Sequence, residues 1–386
     1  MANVKLSNVI RRAQTKVDKD DTDLVFYVGG EHIESENIRV HSRGIIVEST
    51  IGPMFYYGFK AGDFLLVSRN PHLKKAGLVD FDGICSEKTF VLETANSDVL
   101  LPEFLPFVLQ NERFWDYAYR HRHGSTNTFI NWSTLANYEF ELPDLETQRK
   151  LAEVLWSIND TMEAYKNLIS ATDELVKSQF MEQFGDPSNN VYGYPVTTLK
   201  EVAVGPLSYG SVSSATEFDG ITRYVRITDI MDDGNLGRDI KSATKTEAKY
   251  LLHEGDILFA RTGATVGKTC RYRENYGRAI YAGFLIRLIP DTTLIDPDYL
   301  YHFTKSDYYW DFVRSAQRVV AQPNINAQEY GDLQILLPKI EAQKSFAAFV
   351  QQSDKSKFAI QCCSNLNLWS CSACHRPKAT DGVSSR

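Results

Sequence analysis

The stretch Leu142-Pro143-Asp144-Leu145-Glu146-Thr147-Gln148 returns 195 residues later as Leu337-Pro338-Lys339-Ile340-Glu341-Ala342-Gln343. The same offset carries Pro102 to Pro297, Phe104-Leu105 to Tyr299-Leu300, Phe114-Trp115-Asp116-Tyr117 to Tyr309-Trp310-Asp311-Phe312, and Ile130-Asn131 to Ile325-Asn326. Tryptophan is rare, so a Trp-Asp pair in register is hard to ascribe to chance. Upstream, Gly62-Asp63 answers to Gly255-Asp256, and Tyr27-Val28 with Ile33 answers to Tyr224-Val225 with Ile230, the offset drifting as small loop insertions make it do. Solenoid repeats have periods of ~20 to 50 residues, so a unit this long is a domain. The chain reads as two copies of one domain, and its function is expected to be something done twice.

With 386 residues, each copy is long enough to bury its own core. A charged fraction of 24% beside 43% hydrophobic residues excludes a disordered or fibrous chain. No apolar run approaches the ~20 residues that span a bilayer, and the polar start with Lys5, Arg11 and Arg12 is not a signal peptide. A cytoplasmic protein with no membrane partner is expected. Cys85 and Cys270 lie in the body and Cys362, Cys363, Cys371 and Cys374 near the end, a scatter that suits reduced thiols better than a disulfide framework. The net charge of −7 argues against nucleic acid across the whole surface. Locally the balance inverts: Arg261, Lys268, Arg271, Arg273 and Arg278 face Glu274 alone, and Arg113, Arg120 and Arg122 with His121 and His123 face Asp116. Basic loops on an acidic protein suit a polyanion gripped at chosen places.

Each copy opens with a short helical signal, Leu6 to Ile10 and Leu199 to Val202. Runs rich in β-branched and aromatic residues follow, such as Leu24 to Val28, Phe64 to Val67, Arg223 to Ile227, Asp256 to Phe259 and Ala282 to Ile286. A helix near Pro102 and another near Pro297 carry the Trp-Asp block. The fold class is α+β. Behind the first copy, apolar residues fall at Leu151, Leu155, Ile158, Met162, Tyr165, Ile169 and Val176, with Thr172 in the remaining place, in alternating steps of four and three. That is a coiled-coil seam, stopped by Gly185-Asp186-Pro187, on a rod of about 58 Å that needs a partner helix. The partner begins at Glu341 with Phe346, Phe349 and Val350, then loses its pattern at Ser353 and Lys357. The expected boundaries are a first domain over 1–145, a central helix over 146–185, a second domain over 186–340, a shortened helix over 341–369 and an irregular tail over 370–386.

Two motifs point elsewhere. Gly263 to Thr269 resembles a phosphate-binding loop but has three residues between its glycines where that loop has four; a turn facing a polyanion suits it better. Cys371-Ser372-Ala373-Cys374-His375 spells a haem attachment signal, or with Cys362 and Cys363 an adventitious zinc site, in a tail without periodicity where an inert reading is preferred. His32, His41 and His72 are isolated, and the carboxylates form no recognisable catalytic set, so neither catalytic residues nor a metal site is expected.

Two similar domains, each ending in Leu-Pro-x-hydrophobic-Glu-x-Gln and running into a long helix, resemble the specificity subunit of type I restriction-modification systems. Gly255 to Arg261, followed by Gly263 and Gly267-Lys268, looks like the core of that family's target recognition domain, and Gln322-Pro323-Asn324-Ile325 like its later loop. The resemblance implies two target recognition domains separated by long antiparallel coiled-coil helices, each domain reading one half of a bipartite site on double-stranded DNA. It implies that the helices act as a ruler and dock two methyltransferase subunits, which restriction and translocase subunits can join. S-adenosylmethionine is then expected in the methyltransferase, ATP and magnesium in the restriction subunit, and no cofactor in this chain. The first copy departs from the pattern at Ser68-Arg69-Asn70-Pro71, which lacks the Gly-rich turn, and the second helix departs in its length. Polar and basic residues on turns that follow strands are the candidate DNA contacts: Arg69, Asn70, Lys74 and Lys75 in the first copy, and Arg261, Thr262, Thr265 and Lys268 in the second. Arg122, Ser125, Thr126 and Asn127, with Gln317, Arg318, Gln322 and Asn324, rank behind them. Because the copies differ, the two halves of the site should differ. The alternatives are a self-contained nuclease or methyltransferase with an unrecognised active site, and a non-catalytic coiled-coil scaffold.

Overall fold

The computed structural model describes residues 2–317 and 324–364. They divide into two compact units, 2–163 and 164–364, and the division falls inside the helix Leu145–Phe184.

In the first unit Ala2–Lys5 pairs antiparallel with Glu139–Leu142, tying the two ends of the repeat together. A four-stranded sheet follows in the order Ile10–Ala13, Thr89–Thr94, Phe64–Val67, Ala76–Leu78. A second sheet runs Gly44–Ile45, Phe26–Val28, Gly83–Ser86, Phe55–Phe59, its middle pair parallel with Tyr27 opposite Ile84. The second unit repeats the plan: Val196–Thr198 pairs with Gln334–Leu336, the sheet runs Ser208–Tyr209, Leu285–Leu288, Ile257–Ala260, Thr269–Arg271, and Arg223–Val225 lies parallel to Ala279–Tyr281 with Tyr224 opposite Ile280. A further pair, Ala215–Glu217 with Lys241–Ala243, belongs to the second unit.

The central strands explain their own composition. Phe64-Leu65-Leu66-Val67 is buried throughout because it serves two cores by alternation: Phe64 and Leu66 enter one with Leu92 and Phe114, while Leu65 and Val67 enter another with Val28 and Val91. Ile257-Leu258-Phe259-Ala260 does the same, Ile257 and Phe259 meeting Tyr309 and Tyr330, and Leu258 and Ala260 meeting Val225 and Tyr281. A strand buried on both faces needs an unbroken apolar run.

The duplicated heptapeptide works as a clasp. Gln148 is fully buried; its Oε1 accepts the N–H of Leu101, and its Nε2 donates to the carbonyls of Val99 and Pro143, at 2.8–2.9 Å. Gln343 makes the same three bonds to Asp296 N–H and to the carbonyls of Leu294 and Pro338. Each glutamine, on the first turn of a long helix, satisfies three backbone groups that have no other protein partner among the described residues.

Two local expectations need correction. Leu6–Val9 is helical, but Leu199 to Val202 is a turn, around which the Glu201 carboxylate accepts the Thr198 N–H and both neighbouring threonine hydroxyls. Leu199 and Val202 are buried nevertheless, in the positions of Leu6 and Val9. The second correction concerns the seam. Leu151 is 41% exposed, and the buried face at that end runs through Gln148 and Ala152, with Leu155 and Trp156 packed on the first core. The glutamine clasp sets that rotation. Ile158, Met162, Tyr165 and Ile169 are half-buried. Toward the end the spacing becomes four and the anchors are Val176, Phe180 and Phe184, the two phenylalanines meeting Tyr299 and Phe346 at 4.9–5.6 Å between ring centroids. In the second unit the helix Ile340–Ser364 runs antiparallel to this segment: Phe346 lies by Phe180 and Phe184, and Lys357, which interrupts the apolar pattern, reaches Asp173 at 2.7 Å and Asp354 at 2.9 Å. The tail over 370–386 and the last residues of the expected helix lie outside the described residues. Among the described residues no helix is long and apolar enough to cross a membrane.

Candidate nucleic-acid interface

In the second unit the strand Ile257–Ala260 ends at Arg261 and returns as Thr269–Arg271, so the Gly-rich segment is a hairpin loop. A phosphate-binding loop would run into a helix, and here a strand follows. The loop is closed by Ala260 N–H on Lys268 O at 2.8 Å and Gly267 N–H on Ala260 O at 3.0 Å. Gly267 sits at φ +86°, and a Cβ there would meet Val313 Cγ1 at 2.6 Å, so this close approach to the helix Asp307–Gln317 requires glycine. Gly263–Thr265 forms one 3₁₀ turn, with Thr265 Oγ1 donating to Thr262 O.

Three chain segments meet at Arg261. Its N–H donates to Phe284 O at 3.1 Å, its carbonyl accepts from Ile325 N–H at 2.9 Å, and Thr262 pairs with Asn324 in an antiparallel bridge. The guanidinium lies 4.7 Å from the ring centre of Tyr209, and Nε donates to Asn324 Oδ1 at 3.1 Å. Tyr209 is 42% and Phe284 60% exposed, so the cluster is an open surface of one cation, one amide and two aromatic rings. Lys268 differs: it pairs with Asp232 at 2.6 Å and holds that carboxyl below its usual range.

The first unit builds the same junction from other residues. Ile130 N–H donates to Ser68 O at 2.9 Å, Ser68 N–H donates to Lys88 O, and Arg69 bridges to Phe129 as Thr262 does to Asn324. Ser68 therefore occupies the place of Arg261. It is buried, with its hydroxyl donating to Lys88 O at 2.7 Å. Arg69 is exposed, next to the exposed Phe129 and to His123, which also bridges to Phe129. Asn70 is left-handed at φ +50°, and its N–H donates to Thr128 O. Lys74 and Lys75 are engaged by other groups of the protein: Lys74 pairs at the surface with Glu36 at 2.9 Å and Glu112 at 2.7 Å, and Lys75 Nζ donates to Gly30 O at 2.6 Å. Arg122 lies 3.7 Å over Tyr119, while Ser125, Thr126 and Asn127 form the exposed tip of the loop that the His123–Phe129 bridge closes. In the second unit the side chain of Gln317, and Arg318 and Gln322, lie outside the described residues; Asn324 is placed as above.

The local positive charge is smaller than the sequence count implies. Arg271 pairs with Asp298 at 2.5 Å and Glu254 at 3.2 Å, and Arg273 with Asp354 at 3.0 Å. Among the described residues of that stretch, Arg261 and Arg278 alone have no carboxylate partner. Distant acids neutralise the others, which a count along the chain cannot register. The residues missed by sequence reasoning are aromatic, Tyr209 and Phe284 in the second unit and Phe129 in the first; their exposure beside the loops was not marked by spacing. Cys85 and Cys270 are free thiols, and burial pushes both up to about 12, which leaves them unreactive at neutral pH. Among the described residues no group of three or more His, Cys, Asp or Glu is placed to hold a metal ion.

Comparison with known proteins yields one family. The profile described as Type I restriction modification DNA specificity domain matches residues 9–171 and 194–363, one match to each copy. A curated relative, the Type I restriction enzyme HindI specificity subunit of Haemophilus influenzae, is 26% identical over 132 residues, covering 33% of this chain and 28% of its own length, so the match spans less than a third of that subunit. Among solved structures, the Type-I restriction-modification system S subunit from M. genitalium matches in fold with a TM-score of 0.54 at 13% identity, over 94% of this chain and 93% of that one.

Proposed function

The chain belongs to the type I restriction modification DNA specificity family, and from that premise we propose that it is the DNA sequence-recognition subunit of a type I restriction-modification complex and carries no catalytic residues of its own. The target recognition domains are 1–145 and 186–340. The helix over 146–185 joins them, and with the helix that begins at 341 it sets the unread gap between the half-sites and docks two methyltransferase subunits. Restriction and translocase subunits complete the assembly, in the cytoplasm. S-adenosylmethionine belongs to the methyltransferase, ATP and magnesium to the restriction subunit.

The observation that supports this reading best is that one strand plan, built twice, presents different chemistry at the same loop: Arg261 with Tyr209 and Asn324 in one unit, and Ser68 with Arg69 and Phe129 in the other. A shared scaffold with divergent exposed loops is the arrangement that reads two different DNA sequences, since scaffold contacts position and loop side chains specify. An asymmetric bipartite site follows. The reading is tested by incubating target duplex with labelled S-adenosylmethionine and the purified chain, with and without the cognate methyltransferase subunits. Label should enter DNA when both are present and not with this chain alone. Label transferred by this chain alone would show that it is a methyltransferase.

A further inference from the structure

Arg261 is an unusual arginine for an exposed loop. Its stem and guanidinium are held from two sides, by the face of Tyr209 at 4.7 Å and by Asn324 Oδ1 at 3.1 Å. The groups that hold it are themselves fixed. Tyr209 lies in the strand Ser208–Tyr209 opposite Ile286, and its hydroxyl oxygen accepts the N–H of Ala327 at 3.1 Å, at the first turn of the helix Ala327–Gly331. That turn is set in turn by Asn326, whose Oδ1 accepts from Gln328 and Glu329 N–H. Asn324 is carried by the bridge to Thr262.

The bond to Asn324 takes Nε. Among the described residues the two terminal nitrogens of Arg261 have no protein partner, and they form the fork that matches guanine O6 and N7 in the major groove. An exposed arginine ordinarily gives up rotamer freedom when it binds. Here the ring and the amide have already removed much of that freedom, and an aromatic face under a guanidinium contributes attraction besides.

Resting on the DNA-reading proposal above, we propose that Tyr209 is a positioning residue for Arg261, presenting its terminal nitrogens to one guanine in the half-site read by the second unit, by a device the first unit lacks. The first unit lacks it because Ser68 stands at the equivalent position, buried and bonded to Lys88 O. This device, and the one guanine it reads, are therefore confined to one half of the site.

The test uses the full chain and a library of duplexes with randomised bases, followed by affinity measurements on the selected site. The wild type should select a guanine at one position of one half, and 7-deazaguanine there, which lacks the N7 acceptor, should weaken binding by about 10-fold. Tyr209→Leu should lower the preference for that guanine by about 5-fold while leaving the other half and the salt dependence unchanged. Tyr209→Phe, which keeps the ring face, should restore most of the preference. Arg261→Met should abolish it and make the 7-deazaguanine duplex bind as well as the guanine duplex, an independent route should Tyr209→Leu fold poorly. If the wild type selects a bipartite site whose every base is indifferent to Tyr209→Leu and Arg261→Met, or if Tyr209→Phe behaves as Tyr209→Leu does, the positioning role is wrong while the DNA-reading proposal stands. A wild type that selects no sequence overturns both.

Discussion

Replacing Gln343 with alanine should lower the unfolding free energy of the second unit by about 3 kcal/mol, and Gln148→Ala should do the same to the first. Neither residue is in the hydrophobic core. Each is a fully buried side chain and the common partner of one backbone N–H and two carbonyls, and alanine leaves these three partly buried groups without that bond. An unsatisfied buried group costs about 1 to 3 kcal/mol, and the cavity left by the side chain adds to it. In the second unit the effect extends further. The N–H that Gln343 receives belongs to Asp296, whose carboxylate caps the helix Pro297–Phe303 through Asp298 and Tyr299 N–H. Urea unfolding followed by circular dichroism measures this directly. A loss below about 1 kcal/mol in either variant would mean that water replaces the clasp and that the repeated heptapeptide is not held by its glutamine.

Phe346→Ala should cost about 3 to 5 kcal/mol. Phe346 is fully buried, and its ring is the meeting point of Phe180, Phe184 and His302, with centroids 5.4–5.6 Å away. Removing it opens a cavity where the two helices and the sheet-covering helix Pro297–Phe303 converge. The substitution also changes the response to acid. Burial pushes His302 from the ordinary 6.5 down to about 3 in the folded protein. Between those values the unfolded chain binds a proton that the native chain excludes, so the contribution of His302 to stability is intact above about pH 6.5 and falls away as pH drops toward 3. With Phe346 gone, water reaches the ring, its folded value rises and that acid-side slope becomes shallower. Unfolding titrations of both proteins at pH 7 and pH 5 check the point: the destabilisation by Phe346→Ala should be smaller at the lower pH, and an equal or larger destabilisation there would show that His302 stays dry.

Much of this architecture can be read from the sequence because the chain states it twice. The paired strands, the helix after Leu-Pro and the Trp-Asp helix all follow from one offset, and the structure places each in the same register in both units. What the sequence conceals is what depends on distant partners. The heptapeptide marks the repeat, but its glutamine earns its place through carbonyls some 50 residues upstream, which carry no side-chain signature. The seam drawn from alternating steps placed Leu151 inside, whereas the clasp turns Ala152 inward and Phe180 and Phe184 take over as anchors. Lys74 and Lys75 read as exposed cations until Glu36, Glu112 and the Gly30 carbonyl are found around them. Arg261 was visible as a basic residue after a strand. Tyr209 was not, because it lies far upstream in a two-residue strand, and the equivalence of Ser68 with Arg261, which the Gly-Asp offset implies, is borne out by matching backbone bonds.

The central claim is that two independent readers share one scaffold. It is tested most directly by replacing residues 1–145 with the equivalent domain of a relative and sequencing the methylome of cells that carry the chimera with its methyltransferase. The account predicts that one half of the recognised site changes to the donor's sequence while the other half and the unread gap persist. A chimera in which both halves change, or one that assembles with the methyltransferase yet recognises nothing, would contradict it.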